Sequence, residues 1–227
     1  MNTTKVTLKP PLFIITLALL IIGAFIWKSL PDITSPVLPE PSNPPVTPAQ
    51  TVLLPTRQPK TPSLIEPVAQ FKQRVTKKPF GIYVTPQNSP VQPERFTGYH
   101  TGADTEYADI AGPVPVYSVA AGRILTAQWV SGYGGLVAEQ ITINNQPIIA
   151  IYGHLNPSSL PSVGQQISAD EQVGLLGTDY TNQTDGERKH LHFSLVKDTA
   201  VNLKGYVQNK SALSDWIDPM SLNYTSP

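Results

Sequence analysis

At 227 residues the chain has room for one domain of ordinary size plus appendages, and 15 of its 24 prolines crowd between Pro31 and Pro93, a density that a packed domain does not absorb. Sixteen basic and sixteen acidic residues cancel, which argues against a polyanionic partner such as nucleic acid. Without cysteine there is no disulfide framework, thiolate nucleophile or Cys-ligated metal, so His, Asp and Glu are the strong ligands that remain.

Taken in order, residues 1–28 read as a short cytoplasmic tip and a membrane anchor. Leu12 to Trp27 carries no charge, and the 18 residues between Lys9 and Lys28 make a helix of about 27 Å at about 1.5 Å per residue, enough to span a hydrocarbon core. A cleaved signal peptide is the competing reading, although no small-x-small site follows the run. The lysines before the helix weakly place the N-terminus inside and everything after Lys28 outside, so the rest of the protein is expected to be extracytoplasmic. Residues 29–77, rich in Pro, Thr, Ser and Gln, read as an extended linker that buries too little apolar surface to fold, with Leu64 to Val75 a candidate short helix.

A folded domain is expected over 78–227. Short strands are predicted at 114–119, 122–130, 136–143, 148–152, 173–176 and 190–196, punctuated by turn signals such as Gly132-Tyr133-Gly134-Gly135 and Asn144-Asn145. Many short strands with little helical periodicity predict an all-β, antiparallel domain.

All four histidines fall in three stretches of this domain: Tyr99-His100-Thr101-Gly102-Ala103-Asp104, Tyr152-Gly153-His154-Leu155 and His190-Leu191-His192-Phe193. In a strand His190 and His192 project to one face. His100, Asp104 and His192 supply two imidazoles and a carboxylate, the donor set of a catalytic zinc site that keeps its remaining position for water. A helix or a bent loop would bring His100 and Asp104 together, and Gly98 and Gly102 favour the loop. His154 and His190 then fit the roles of base and hydrogen-bond donor beside an activated water. A non-haem iron triad is the rival reading of the same donors, but its usual spacing is His-x-Asp or His-x-Glu.

Those three stretches, in that order, resemble the signature motifs of the lysostaphin/LytM-type zinc endopeptidases. Ala120-Ala121-Gly122-Arg123-Ile124, Val173-Gly174-Leu175-Leu176-Gly177 and the closing Trp216-Ile217-Asp218-Pro219 are similar to further family segments. The resemblance implies a compact antiparallel β-sandwich or barrel-like sheet with a groove. It implies zinc on His100, Asp104 and His192, with His154 and His190 catalytic, and peptidoglycan peptide bonds as substrate. The rival within the family is a catalytically silent member that binds the wall or regulates another hydrolase. The approach to the His-x-His pair is longer and more charged than usual. Arg188 and Lys189, which should border the groove, are expected either to meet a substrate carboxylate or to form a solvated surface pair. The lead-in over 79–96 is expected either to pack on the sheet or to lie in the groove.

Overall fold

The computed structural model describes residues 64–227. The expected membrane anchor and most of the expected linker lie outside them. Among the described residues no helix is long and apolar enough to cross a membrane.

The described part is nearly all-β. It begins with β1 (Leu64–Ile65), β2 (Tyr83–Val84), β3 (Gly98–His100) and β4 (Gly102–Glu106). A short β5 (Pro115–Tyr117) leads into the long antiparallel run β6 (Gly122–Val130), β7 (Gly134–Ile143) and β8 (Gln146–Leu155). Then come β9 (Gln166–Ile167), β10 (Gln172–Leu175), β11 (His190–Val196), β12 (Tyr206–Val207), β13 (Trp216–Ile217) and β14 (Tyr224–Thr225). The largest sheet has the order β13-β11-β8-β7-β6-β9, with β4 also paired to β11. The tight turn at Asn144-Asn145, both at positive φ, closes β7 onto β8 and thereby fixes that hairpin's register.

The sheet buries side chains on both faces. On one, Val137, Ile141, Ala150, Tyr152, Leu191, Phe193 and Leu195 belong to the main core. On the other, Leu136, Ala138, Ile149, Ile151 and Val196 form a smaller cluster closed by Val207 and Trp216. The period-two alternation of β11 therefore sends Leu191 and Phe193 into the core and stands His190 and His192 on the opposite face.

Two expectations change. The linker does not run to residue 77: Leu64 pairs with Tyr224, and Val68 and Phe71 are buried in the main core, with Phe71 edge-on to Phe193 at 5.5 Å. Apolar residues spaced among prolines were enough to dock the segment, and instead of the candidate helix it forms β1 and a single 3-10 turn over Lys72–Arg74. The His100 to Asp104 stretch is not a loop but two strands broken at Thr101, β3 pairing with β2 and β12 while β4 pairs with β11.

Candidate metal centre

Three elements bring the site together. β4 lies antiparallel to β11 with Asp104 directly opposite His192, and β3 ends at His100 just before the break. His100 Nε2 lies 3.0 Å from His192 Nδ1, and Asp104 Oδ1 lies 3.1 Å from His192 Nδ1 and 3.3 Å from His100 Nε2. This near-equilateral triangle is buried. Two imidazole nitrogens and a carboxylate oxygen with their lone pairs converging leave too few protons to satisfy one another. Tetrahedral ligation at about 2.0–2.2 Å places ligand atoms about 3.3–3.6 Å apart, so the donor set fits a single cation of zinc's size with little adjustment. The carbonyl of Pro79 lies 3.3 Å from His100 Nδ1, which turns the Nε2 lone pair inward. Gly102 is required here: a Cβ would stand 2.7 Å from the His192 ring and the Phe193 carbonyl.

Arg188 orients the carboxylate. Its guanidinium donates to Asp104 Oδ2 at 3.1 Å and to both oxygens of Glu106, the shortest at 2.6 Å. Burial pushes the Asp104 carboxyl up, but the nearby imidazoles of His100 and His190 outweigh it and hold the group well below the usual carboxylate range. Burial also pushes His192 down to about 4, against the pull of Asp104, so its ring is neutral and available as a ligand at neutral pH.

His154 reaches the same pocket through a β-bulge. In the β7/β8 ladder Gly135 faces Leu155 and Leu136 faces Gly153, which leaves His154 as the extra residue, with φ 63°. The bulge breaks the alternation, so that Tyr152 and Leu155 both enter the main core while His154 turns out to the histidine face. Gly135 permits it, because a Cβ there would collide with the Leu155 carbonyl. The His154 and His190 rings lie 4.2 Å apart. His154 Nδ1 donates to the Thr184 carbonyl at 3.1 Å, which leaves its Nε2 unprotonated, whereas His190 Nδ1 donates to the Arg188 carbonyl at 2.8 Å and its Nε2 faces Asp104 Oδ2 at 3.4 Å. Burial, reinforced by His190, keeps His154 neutral well below the ordinary histidine range.

A pocket of about 330 Å³ opens over these residues, walled by Lys78, Phe96, Tyr133, Tyr206 and Gln208 among others. The lead-in thus packs as a wall. The expectation of a solvated pair at Arg188 and Lys189 is corrected: both are buried, Arg188 pairing with Asp104 and Glu106 where it lines the pocket, and Lys189 Nζ donating to the carbonyls of Ile110 and Gly112 at 2.8 and 2.7 Å. Sequence reasoning missed Tyr133, Tyr206 and Lys78. Tyr133 stood in a marked glycine turn, whereas nothing local distinguishes the other two.

A large antiparallel sheet thus carries a buried His-His-Asp triangle, a donor set that could hold one metal ion, beside two further histidines in a pocket. The sequence profile of Peptidase family M23 matches residues 98–203, the stretch that holds all four histidines, in agreement with the family that the motifs resemble. It is 33% identical over 95 residues to an uncharacterized protein of Haemophilus influenzae, a match covering 41% of this chain and 21% of that one. It is 35% identical over 63 residues to the murein hydrolase activator EnvC of Escherichia coli, covering 28% of this chain and 14% of the other. The chain thus spans about a fifth or less of the length of these relatives. Among solved structures, a zinc-containing peptidase from Vibrio cholerae aligns with 18% identity and a TM-score of 0.43 over 73% of this chain and 41% of that chain.

Proposed function

We propose that the chain is a zinc-dependent endopeptidase that hydrolyses peptide bonds of peptidoglycan, held outside the membrane by an anchor in residues 1–28 and a proline-rich tether over 29–63. The observation that carries this reading is the complete constellation: three converging donors in a buried triangle and, beside them, two neighbouring imidazoles, of which His154 has its Nε2 free. His100, Asp104 and His192 would hold the ion, which supplies a Lewis acid that polarises the scissile carbonyl and lowers the pKa of water. His154 accepts the proton of the attacking water at Nε2 and returns it to the departing amine, and His190, its ring 4.2 Å away, stabilises the charge that develops. Arg188 orients Asp104 by donating to its Oδ2. A cell-wall setting is supported by the match to Peptidase family M23 and by the relative whose name is murein hydrolase activator.

The test uses the full chain with purified peptidoglycan, and measures zinc by mass spectrometry and released termini by chromatography. Zinc bound one to one and release abolished by chelator are expected. Asp104→Ala or His192→Ala should remove metal and release together, whereas His154→Ala or His190→Ala should keep metal and lose about 10²–10⁴-fold in turnover. Zinc without release would instead favour a regulator of another hydrolase, and metal retained in His192→Ala would refute the ligand set.

A further inference from the structure

The pocket has a polar wall that neither the metal centre nor the histidine pair uses. Lys78, just before the lead-in, and Glu94, within it, form an ion pair at 2.5 Å with side chains only 4% and 2% exposed. Glu94 is saturated as an acceptor: Ser89 Oγ donates to Oε2 at 2.8 Å, and the backbone N–H groups of Arg95 and Phe96 donate to Oε1 at 2.9 Å each. A buried ion pair is at best near neutral for stability, because desolvation offsets the attraction. Its placement therefore asks for another account.

The ammonium of Lys78 supplies one. It donates a second hydrogen bond to the Tyr206 hydroxyl oxygen at 3.2 Å. That hydroxyl donates to no protein group among the described residues, so its own proton is left for the pocket that Tyr206 lines. The ring is fixed from two sides, stacked on Phe96 at 5.3 Å and set against His100 at 5.2 Å. β12 also places Tyr206 directly opposite His100 in β3. The other phenol of the pocket, Tyr133, is already committed, donating to the Leu203 carbonyl at 3.2 Å.

We propose, on the basis of the peptidase reading above, that Tyr206 is a further catalytic residue whose O–H donates a hydrogen bond to the scissile carbonyl oxygen as that oxygen gains negative charge, and that Lys78 and Glu94 are positioning residues that orient and polarise it. No proton changes owner: the phenol keeps its hydrogen throughout. Burial, with the charges of Asp104 and Glu94, raises the Tyr206 pKa above its ordinary value, so the hydroxyl is a donor at every working pH. Donation from a cation to the phenol oxygen strengthens the phenol as a donor in turn. A preorganised donor of this kind acts on the transition state rather than on the bound substrate.

The test uses the full, zinc-loaded chain with soluble cross-linked muropeptides, and a phosphinic peptide as a tetrahedral probe. Tyr206→Phe is expected to lower kcat about 100-fold and weaken phosphinate binding by a similar factor, with KM and zinc content unchanged. The paired variant Lys78→Met with Glu94→Gln, which removes both charges together, should lose part of that activity and add no further loss to Tyr206→Phe. If the pair fails to fold, Lys78→Arg, which keeps the charge opposite Glu94 but displaces the contact to the phenol, should reproduce the partial loss. A wild-type chain without turnover would sink the peptidase reading and this inference with it. An active wild type beside a Tyr206→Phe enzyme within about twofold of it would overturn the tyrosine's role alone, and additive losses would overturn that of Lys78 and Glu94.

Discussion

Glu139 sits fully buried against the main core with no ion-pair partner among the described residues, and its carboxyl should govern how stability changes with pH. Tyr152 donates to Oε2 at 2.9 Å, while the single hydroxyl proton of Ser118 is shared between the Ala120 carbonyl at 2.5 Å and Glu139 Oε1 at 2.7 Å. When Ser118 donates to the carbonyl, Oε1 must carry the hydrogen itself, which requires a neutral carboxyl. Burial, with the negative charge of Glu171 adding to it and Ser118 and Tyr152 opposing it, pushes Glu139 up to about 7 from 4.5. The folded state thus binds this proton more tightly than the unfolded state does. The stabilisation is complete below pH 4.5, declines as pH rises, and is gone above about 7. A rise of about 2.5 pH units corresponds to about 3 kcal/mol across that window. Glu139→Gln reproduces the neutral form with an amide that donates to Ser118 and accepts from Tyr152. Urea unfolding of the full chain and the variant, both in chelator, should therefore give stability curves that diverge by about 3 kcal/mol in favour of Gln between pH 4.5 and 7 and run parallel outside it. His154 and His192, whose pKa values are lowered, gain stability with rising pH, but they do so in both proteins and cancel in the difference. Parallel curves through the whole range would show that Glu139 ionises normally and would refute the argument.

Arg188→Met should weaken zinc binding about 10–100-fold in a dye competition assay, because Asp104 and Glu106 lose their common partner; a raised KM with unchanged metal affinity would make it a substrate contact instead. Lys189→Met should lower stability and leave both KM and zinc affinity alone, since its ammonium serves the Ile110 and Gly112 carbonyls. Phe71→Ala should cost about 3–5 kcal/mol in denaturant unfolding, as befits a core aromatic, where a linker residue would cost less than about 0.5.

The parts legible in sequence were those with a periodic or punctuated signal. The strands at 122–130 and 190–196 were delimited by glycine turns, a long loop and β-branched residues, and they occur with those bounds. The His-x-His pair was legible because period two alone fixes its common face. His154 was readable as a participant but not by its route, since a bulge depends on the partner strand's Gly135, not on its own neighbours. Composition misassigned 64–77 because two or three apolar anchors decide docking while prolines dominate the average. Arg188 and Lys189 were misread because a charged pair has the same letters whether it is solvated or buried against Glu106 and backbone carbonyls. Tyr206, Lys78 and Glu94 left no signal, since they meet only through contacts separated by up to 128 residues.

The first and last described strands, β1 and β14, run parallel, with Leu64 beside Tyr224 and Ile65 beside Thr225. Tension on the chain before Leu64, along the strand axis, would load this ribbon in shear, and beyond it the buried Phe71, before reaching the strands that carry the histidines. Such a pull would thus meet a clasp between the first and last described strands before it met the geometry around His100 and His192.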